Sequence, residues 1–252
     1  MEYETRPGHQ FDRVSSLISD GFGDERIGAL TGIPRSTVRD WRRKGRTGVR
    51  QRIAALDCPR CGGVTSDESS YAYLLGLYLG DGCISRRPRA YRLRIALDAR
   101  YPSIIYQAME AMAAMRAPKP GRVNLLDRGG CVEISAYWQR WPCLFPQHAP
   151  GRKHSRRIHL TPWQARIAAG HPRMLLRGLI HSDGCRVTNR VWGGKYSYPR
   201  YFFTNRSGDI LEMFRKGCDV LGISYRNSKP DTISIAKRKD VAALDSFIGP
   251  KT

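Results

Sequence analysis

Two aspartates, Asp81 and Asp183, stand at the same place in two similar apolar segments, and a glycine follows each of them. The segments read LLGLYLGDG over residues 74–82 and LLRGLIHSDG over residues 175–184. Two carboxylates brought together repel each other unless a cation lies between them. Mg²⁺ favours carboxylate ligands and fills its other coordination positions with water and phosphate oxygens. The two aspartates are therefore candidate metal ligands and candidate catalytic residues for chemistry at a phosphate group.

A simpler interpretation treats each Asp-Gly pair as the end of a helix. In that case Gly82 and Gly184 would adopt positive φ angles and form ordinary helix C-terminal turns. This explains the glycines well, but it does not explain why an acid precedes both of them. Metal binding therefore remains the favoured interpretation.

Small residues predict how the two segments meet. Gly76 and Gly80 are one helical turn apart in the first segment, and Gly178 and Ser182 are one turn apart in the second. Small residues on one face allow two helix backbones to approach closely. We therefore expect the two segments to be helices that pack on each other, with Asp81 and Asp183 side by side at their C-terminal ends.

The same order of elements is predicted after each aspartate, which indicates an internal duplication. The predicted elements are a strand at 91–98, a helix near 103–115 and strands at 122–126 and 131–136, then a strand at 200–204, a helix near 208–221 and strands at 224–227 and 232–236. The predicted fold is α+β, a duplicated αββαββα core with pseudo-twofold symmetry. Its halves cover about residues 70–160 and 170–252.

The paired segments, YAYLLGLYLGDGCIS from Tyr71 and MLLRGLIHSDGCRV from Met174, resemble the two motifs of single-chain LAGLIDADG homing endonucleases. The resemblance covers roughly residues 70–251. It implies metal-dependent cleavage of double-stranded DNA, with Mg²⁺ held by Asp81 and Asp183. The segments depart from the family consensus at Leu79 and His181, where an acidic residue is usual.

The resemblance also implies a basic residue near the scissile phosphate in each half. Lys153 and Lys251 stand in the corresponding stretches, and Lys153 is the better candidate. The family commonly places a polar, water-positioning side chain on a central strand. The matching positions fall near Ala96 and Phe203, with Asp98 and Asn205 close by. The apolar residues at these positions put activity in question.

The strand at 91–98 alternates, which places Leu93, Ile95 and Leu97 on one face and Arg92 and Arg94 on the other. We expect helices to cover the apolar face and the basic face to lie in a DNA groove. The expected counterparts in the second half are Arg200, Arg226 and Asn227. A solvated strand face is the alternative for any one of them.

The charge of the chain also indicates a nucleic-acid partner. Lys and Arg number 43 against 22 Asp and Glu, a net charge of +21. A polyanion is the expected partner of so basic a chain, and no apolar run approaches the ~20 residues of a transmembrane helix. The N-terminus does not resemble a signal peptide. We therefore expect a cytoplasmic, nucleoid-associated monomer that binds double-stranded DNA and no membrane.

The pattern of apolar residues and glycines in residues 1–45 predicts a helix-turn-helix module. Three short helices are expected at 9–20, 25–30 and 36–43, with Asp24 capping the second and Gly32 making the turn. Ile27, Ile33, Val38 and Trp41 would form the small core. The DNA-binding residues of the third helix would be Arg35, Ser36, Thr37, Arg39, Arg42 and Arg43. A helical hairpin with a solvated basic face is the alternative.

Residues 46–69 read as a basic linker with a Cys-Pro-Arg-Cys turn. Cys58 and Cys61 resemble half of a zinc ribbon, but a structural zinc needs four ligands and no second pair follows. We do not expect zinc there.

Two other functions share this core and remain open. A transcription regulator that binds DNA without cutting is the main alternative, which retention of Asp81 and Asp183 disfavours. An RNA-splicing maturase is the other, and the helix-turn-helix favours duplex DNA instead.

Overall fold

The computed structural model describes residues 8–44, 67–116, 122–193 and 195–249. The chain forms two units, residues 1–63 and 64–252.

The first unit contains three helices, α1 (Gly8–Ser19), α2 (Asp24–Thr31) and α3 (Arg35–Lys44). Val14, Ile27, Ile33 and Val38 form its core, and Trp41 packs against it. Gly32 has φ of 68° and ends α2 in the left-handed conformation that favours glycine. The three predicted helices are present, each with ends within two residues of those expected.

Asp24 does not cap α2. The N-cap residue is Gly23, and Asp24 is the first residue of the helix. Its carboxylate instead accepts a hydrogen bond of 2.7 Å from Nε of Arg42 on α3. The helix begins one residue earlier than predicted, which makes Asp24 its first residue and leaves the carboxylate to form a charge-assisted hydrogen bond with Arg42.

The second unit repeats one order of elements. The first copy is α4 (Glu68–Asp81), β1 (Gly82–Arg87), β2 (Ala90–Asp98), α5 (Pro102–Ala114), β3 (Asn124–Asp127), β4 (Cys131–Trp138) and α6 (Trp141–Leu144). The second is α8 (Pro172–Asp183), β5 (Gly184–Val191), β6 (Tyr196–Thr204), α9 (Gly208–Val220), β7 (Arg226–Lys229), β8 (Thr232–Ile235) and α10 (Arg238–Ile248). A 3₁₀ turn (Lys153–Ser155) and α7 (Pro162–Gly170) connect them.

Each copy contributes one antiparallel four-stranded sheet, and the two sheets have the same topology. Their strand orders are β1-β2-β4-β3 and β5-β6-β8-β7. The predicted α+β fold with a duplicated αββαββα core is confirmed. Duplication of sequence has produced duplication of structure, as expected for a pseudo-twofold arrangement.

Helices α4 and α8 lie at the centre of this unit and contact each other more extensively than any other pair of elements. Every residue from Tyr71 to Leu79 is buried, so α4 is surrounded by protein along most of its length. Asp67 caps its N-terminus by accepting hydrogen bonds from the amides of Ser69 and Ser70. The N-terminal end of α4 is thus fixed by its cap and the rest by its packing.

Candidate functional site

The crossing of α4 and α8 brings the predicted small residues into backbone contact. A Cβ atom added to Gly76 would lie 2.5 Å from the carbonyl oxygen of Leu175 and 2.7 Å from the amide nitrogen of Leu179. A Cβ on Gly178 would overlap the carbonyl oxygen of Tyr73 and lie 3.0 Å from the Cα of Gly76. The helices therefore approach as closely as they do only because these two positions carry no side chain.

One turn further on, the same crossing brings the carboxylate of Asp183 to α4. A Cβ on Gly80 would lie 2.8 Å from Oδ2 of Asp183, and it would overlap the Ser182 hydroxyl. Gly80 is the residue before Asp81, which is the last residue of α4. The two aspartates thus end two helices that touch at their C-terminal turns.

Gly82 and Gly184 are not left-handed helix ends. Their φ angles are −80° and −108°, and both lead directly into strands. A Cβ on Gly82 would lie 2.5 Å from the Cα of Tyr78, and one on Gly184 would lie 2.7 Å from the Cα of Ile180. The helix-end interpretation of the two Asp-Gly pairs, with positive φ, is therefore wrong. Close approach of the strand to the preceding helix turn is what requires glycine.

Lys153 lies at the C-terminal end of α4. Its ammonium donates hydrogen bonds to the carbonyl oxygens of Tyr78, Leu79 (3.0 Å) and Gly80 (2.8 Å). It also lies 5.0 Å from the centre of the Tyr78 ring. Carbonyl groups at a helix C-terminus carry partial negative charge and have no partner within the helix. Lys153 satisfies them and places a cation beside the two aspartates.

The surroundings of Lys153 change its acidity. Burial lowers the pKa of Lys153 to about 8, although the nearby carboxylates of Asp183 and Asp81 act in the opposite direction. A lysine with a pKa near 8 remains mainly protonated at neutral pH and can release its proton more readily than an exposed lysine. The predicted catalytic residues Asp81, Asp183 and Lys153 are therefore brought together, since both carboxylates act on this amine.

Asn205 joins the same site at the end of β6. Its Nδ2 donates a 2.7 Å hydrogen bond to Oδ2 of Asp183, while its Oδ1 accepts one of 2.8 Å from the Ser207 amide. The second bond fixes the orientation of the amide, so that Nδ2 faces the carboxylate. Sequence reasoning placed Asn205 close to the water-positioning position without assigning it a role. A polar residue directly after a buried strand was the available signal.

A cleft of about 610 Å³ lies beside Lys153, Asp183 and Asn205, and it is lined by Gly80 and Gly82, the residues on either side of Asp81. Its wall includes Lys153, Asp183, Asn205, Cys83, Arg156, Arg206, His148, His154 and Asp231. Cations outnumber carboxylates in this wall, which suits an anionic ligand.

The polar contacts at the end of β2, in the first half, differ from those at the end of β6, in the second half. Asp98 accepts hydrogen bonds from the amide and guanidinium of Arg100, at distances of 2.6 to 3.1 Å. Asp98 and Asn205 are therefore engaged with different groups, and the duplicated core is not symmetric in its polar contacts.

Arg92 and Arg94 lie on the face of the first sheet predicted to be basic and free, but they share a partner there. Arg92 donates to Glu133 and also, at 3.2 Å, to Ser135. Arg94 lies 3.6 Å from Glu133. The register between β2 and β4 pairs Ala96 with Glu133 and so puts this acid on the same face. The expectation of a free basic side chain is wrong for Arg92, because a largely buried guanidinium requires a partner, whereas Arg94 remains exposed.

In the second sheet, Arg200 and Arg226 lie on the open face and Asn227 does not. Arg200 is half-buried, with its guanidinium 5.7 Å from the Phe202 ring centre. Arg226 pairs with Ser234, which pairs with Phe202. Asn227 accepts a 3.1 Å hydrogen bond from Arg215 of α9. Neighbouring residues of a strand point to opposite faces, so Arg226 and Asn227 cannot share one groove.

In the first unit, most of the residues predicted to bind DNA lie on the surface of α3. Arg35, Ser36, Arg39 and Arg43 are exposed and Thr37 is half-buried. Arg42 is also exposed, but its guanidinium is engaged within the unit, since its Nη2 donates to the carbonyl oxygen of Phe22 in addition to its bond with Asp24.

Three predicted residues lie outside the described part of the chain: Lys251, Cys58 and Cys61. Within the described ranges, no group of three or more His, Cys, Asp or Glu side chains is arranged to hold a metal ion. No helix in those ranges has the length and apolar character needed to cross a membrane.

No protein-family model matches the chain, and no curated protein matches it. Among solved structures, the homing endonuclease I-DmoI in complex with DNA and Mn is similar at 14% identity and a TM-score of 0.47, over 73% of this chain and 98% of that one. The N-terminal LAGLIDADG domain of DUF199/WhiA is similar at 15% identity and a TM-score of 0.46, over 81% and 94%. The LAGLIDADG meganuclease I-AabMI bound to uncleaved DNA is similar at 12% identity and a TM-score of 0.43, over 70% of this chain and 82% of that one. At such TM-scores these similarities assign neither a family nor an activity, and the function of the chain has to be inferred from its own residues.

Proposed function

We propose that this protein binds double-stranded DNA at specific sequences and hydrolyses its phosphodiester bonds with the help of a divalent metal ion, as a homing-type endonuclease does. One observation carries the proposal. Asp81 and Asp183 end two helices in backbone contact, and Lys153, which lines a basic cleft, donates to the carbonyl oxygens of the last turn of α4.

The donor set fits a divalent ion of the Mg²⁺ type. Mg²⁺ is usually held by one or two carboxylates, with water and phosphate oxygens completing its coordination. Asp81 and Asp183 would supply these carboxylates, so a third protein ligand is not required. When bound, such an ion polarises a phosphoryl oxygen and activates water.

Lys153 and Asn205 would serve this chemistry in different ways. The Lys153 ammonium neutralises the C-terminal end of α4, and so lowers the cost of placing Asp81 there. It also offers a positive charge to a phosphate in the cleft. Asn205 holds the Asp183 carboxylate in one orientation through its 2.7 Å hydrogen bond. Asn205 is therefore a positioning residue rather than a catalytic one.

DNA would contact both units of the chain. In the core, the open faces of the two sheets would carry Arg94, Arg200 and Arg226 to the groove. In the first unit, α3 would act as the recognition helix of a helix-turn-helix, with Arg35, Arg39 and Arg43 at its surface. One chain carries both halves of the core, so a monomer suffices for two strands.

The test is to replace the two aspartates by asparagine, separately. Asp81→Asn and Asp183→Asn retain shape and remove the charge that a metal needs. We expect each to abolish double-strand cleavage in a randomised plasmid library with Mg²⁺, while DNA affinity is kept or slightly increased. Glu110→Gln, on the exposed side of α5, is the control and should cut normally. Wild-type protein that cuts no library member and is not stabilised by metal would contradict the enzymatic proposal.

A DNA-binding transcription regulator that does not cut is the second candidate. The observation that favours it is the engagement of Lys153 by three backbone carbonyls, which is a structural role. In this case the asparagine variants should keep DNA binding and melt at higher temperature, because a repulsive pair has been relieved. Melting temperature and plasmid cleavage measured on the same variants separate the two candidates.

A further inference from the structure

The outer end of the β5–β6 hairpin exposes large apolar side chains. Trp192 is 81% exposed, Tyr196 44%, Tyr198 43% and Val187 37%. We call these four residues the aromatic patch. Isolated exposed apolar residues are common, but a contiguous group marks an interaction surface. The group is all the more unusual in a chain with a net charge of +21.

The aromatic patch lies on the open face of the second sheet. Tyr201 and Phe203 of β6 are buried, so the alternate residues Tyr196, Tyr198 and Arg200 point to the other side. Val187 on β5 pairs with Arg200 and shares that side. The patch is therefore continuous with the face that would carry Arg200 and Arg226 to DNA.

The rings of the patch contact one another. The Tyr196 and Tyr198 rings are 6.3 Å apart at an interplanar angle of 19°, and the Trp192 ring meets Tyr196 at 6.4 Å. Trp192 has a φ angle of 55°, which is strained for a residue with a side chain. The ammonium of Lys195 lies 5.7 Å from the Tyr196 ring. An apolar surface lined by rings, with a cation at its margin, suits a nucleic acid, which offers both apolar base edges and anionic phosphates.

The first sheet offers a different surface at the equivalent positions. Strands β2 and β6 are both nine residues long and hold the same place in their sheets. Gly82 pairs with Ile95 and Gly184 with Phe203, so by pairing register Tyr198 corresponds to Ala90, Arg200 to Arg92 and Phe202 to Arg94. Both sheets carry an arginine at the position of Arg92 and Arg200, but Tyr198 has a small counterpart in the first sheet, so the two sheets present different surfaces to the bases.

We infer that the second sheet reads a thymine-rich half-site, with the aromatic patch in contact with thymine C5-methyl groups in the major groove. This inference rests on the proposed binding of duplex DNA and adds the chemistry of one half of the target. The C5-methyl group of thymine is the apolar feature of the major groove, and apolar side chains recognise it by contact. Arginine instead reads guanine.

The first experiment selects binding sites for the full chain from random duplexes. We expect thymine to be enriched in one half-site only. Each enriched thymine is then replaced by deoxyuridine, which lacks only the C5-methyl group. Affinity should fall about fourfold for each methyl group in contact, from the free energy of burying one such group. Replacement in the other half-site should leave the affinity unchanged.

The second experiment assigns this effect to the patch. The double variant Tyr196→Ser, Tyr198→Ser changes two exposed residues. It should bind duplexes with thymine and with deoxyuridine in the enriched half-site equally. Tyr106→Ser is the matched control, because Tyr106 is 63% exposed on helix α5; it should retain the discrimination. Equal binding of thymine and deoxyuridine duplexes by wild-type protein would overturn this inference but not the proposed function. A patch found to bind another protein instead of DNA would do the same. A chain that binds no duplex would overturn the proposed function as well.

Discussion

Lys153 explains how two acids can stand at two adjoining helix ends. Carboxylates at a helix C-terminus are unfavourable because the helix dipole is negative there. The ammonium of Lys153 donates to carbonyl oxygens of the last turn of α4 and offsets this cost. A bound cation is therefore not the sole means of relieving repulsion between Asp81 and Asp183. Lys153 therefore supplies positive charge at this position without a metal, although its burial disfavours the charged form and lowers its pKa.

The burial of Lys153 predicts how stability depends on pH, because the cost of desolvating the ammonium exceeds the gain from the nearby carboxylates. Folding lowers the pKa of Lys153 from 10.5 to about 8, so the unfolded chain holds this proton more tightly than the folded one. The contribution of Lys153 to stability must then increase as pH rises from about 8 towards 10.5. We expect the free energy of unfolding of wild type to rise relative to that of Lys153→Met by at most about 1 kcal/mol per pH unit across this range. Urea unfolding of both proteins at several pH values measures it, and a difference that stays constant or declines would contradict it.

At the scale of elements, the contact between α4 and α8 holds the core together and positions the site. Its closeness depends on glycine at positions 76 and 178, where added atoms would meet backbone rather than movable side chains. Backbone cannot relieve such a clash by changing a rotamer, so the helices would have to separate. Because Asp81 and Asp183 end these same helices, packing and site geometry are coupled.

Gly178→Ala tests this coupling. The added methyl group would overlap the carbonyl oxygen of Tyr73, and we expect a loss of about 3 kcal/mol in the free energy of unfolding, the upper end for an overpacked core. Gly208→Ala at the start of α9 is the matched control, because a Cβ there has no atom within 4 Å. It should change stability by about 1 kcal/mol or less. Chemical denaturation of both variants measures the effect, and equal stability of the two would refute the assigned role of the crossing.

For the whole molecule, the net charge of +21 would govern the proposed association with DNA. Binding that neutralises phosphates releases counterions, and affinity then falls steeply with salt. Each unit has its own hydrophobic core, which is the reason to expect residues 64–252 to fold alone.

Deletion of residues 1–63 provides the test at this scale. The remaining chain should keep its cooperative unfolding transition, protect a shorter stretch of DNA and show a shallower dependence of log Kd on log salt, since fewer phosphates are contacted. Footprinting and binding titrations between 50 and 200 mM salt, about the range in which such contacts lose most affinity, measure this. A truncated chain that unfolds, or a salt slope identical to that of the full chain, would count against two separate DNA-binding units.

The sequence by itself determined the elements, their duplication and the meeting of the two apolar helices. These depend on local information: the spacing of apolar residues, the turn at Gly32 and the small residues at positions 76, 80, 178 and 182. Such signals act within a helix turn or a strand, so they can be read without knowing the partner.

Only the tertiary structure decided which polar groups meet. Glu133 reaches Arg92 through the register of β2 and β4, and Asn205 reaches Asp183 from the end of another strand. Lys153 reaches the carbonyls of α4 from more than seventy residues away in the chain. Long side chains satisfy whichever buried charge or carbonyl lies within reach, and that depends on register and packing rather than on local pattern. For this reason the positions of the acids were predictable, whereas the partners of Lys153, Asn205 and Arg92 were not.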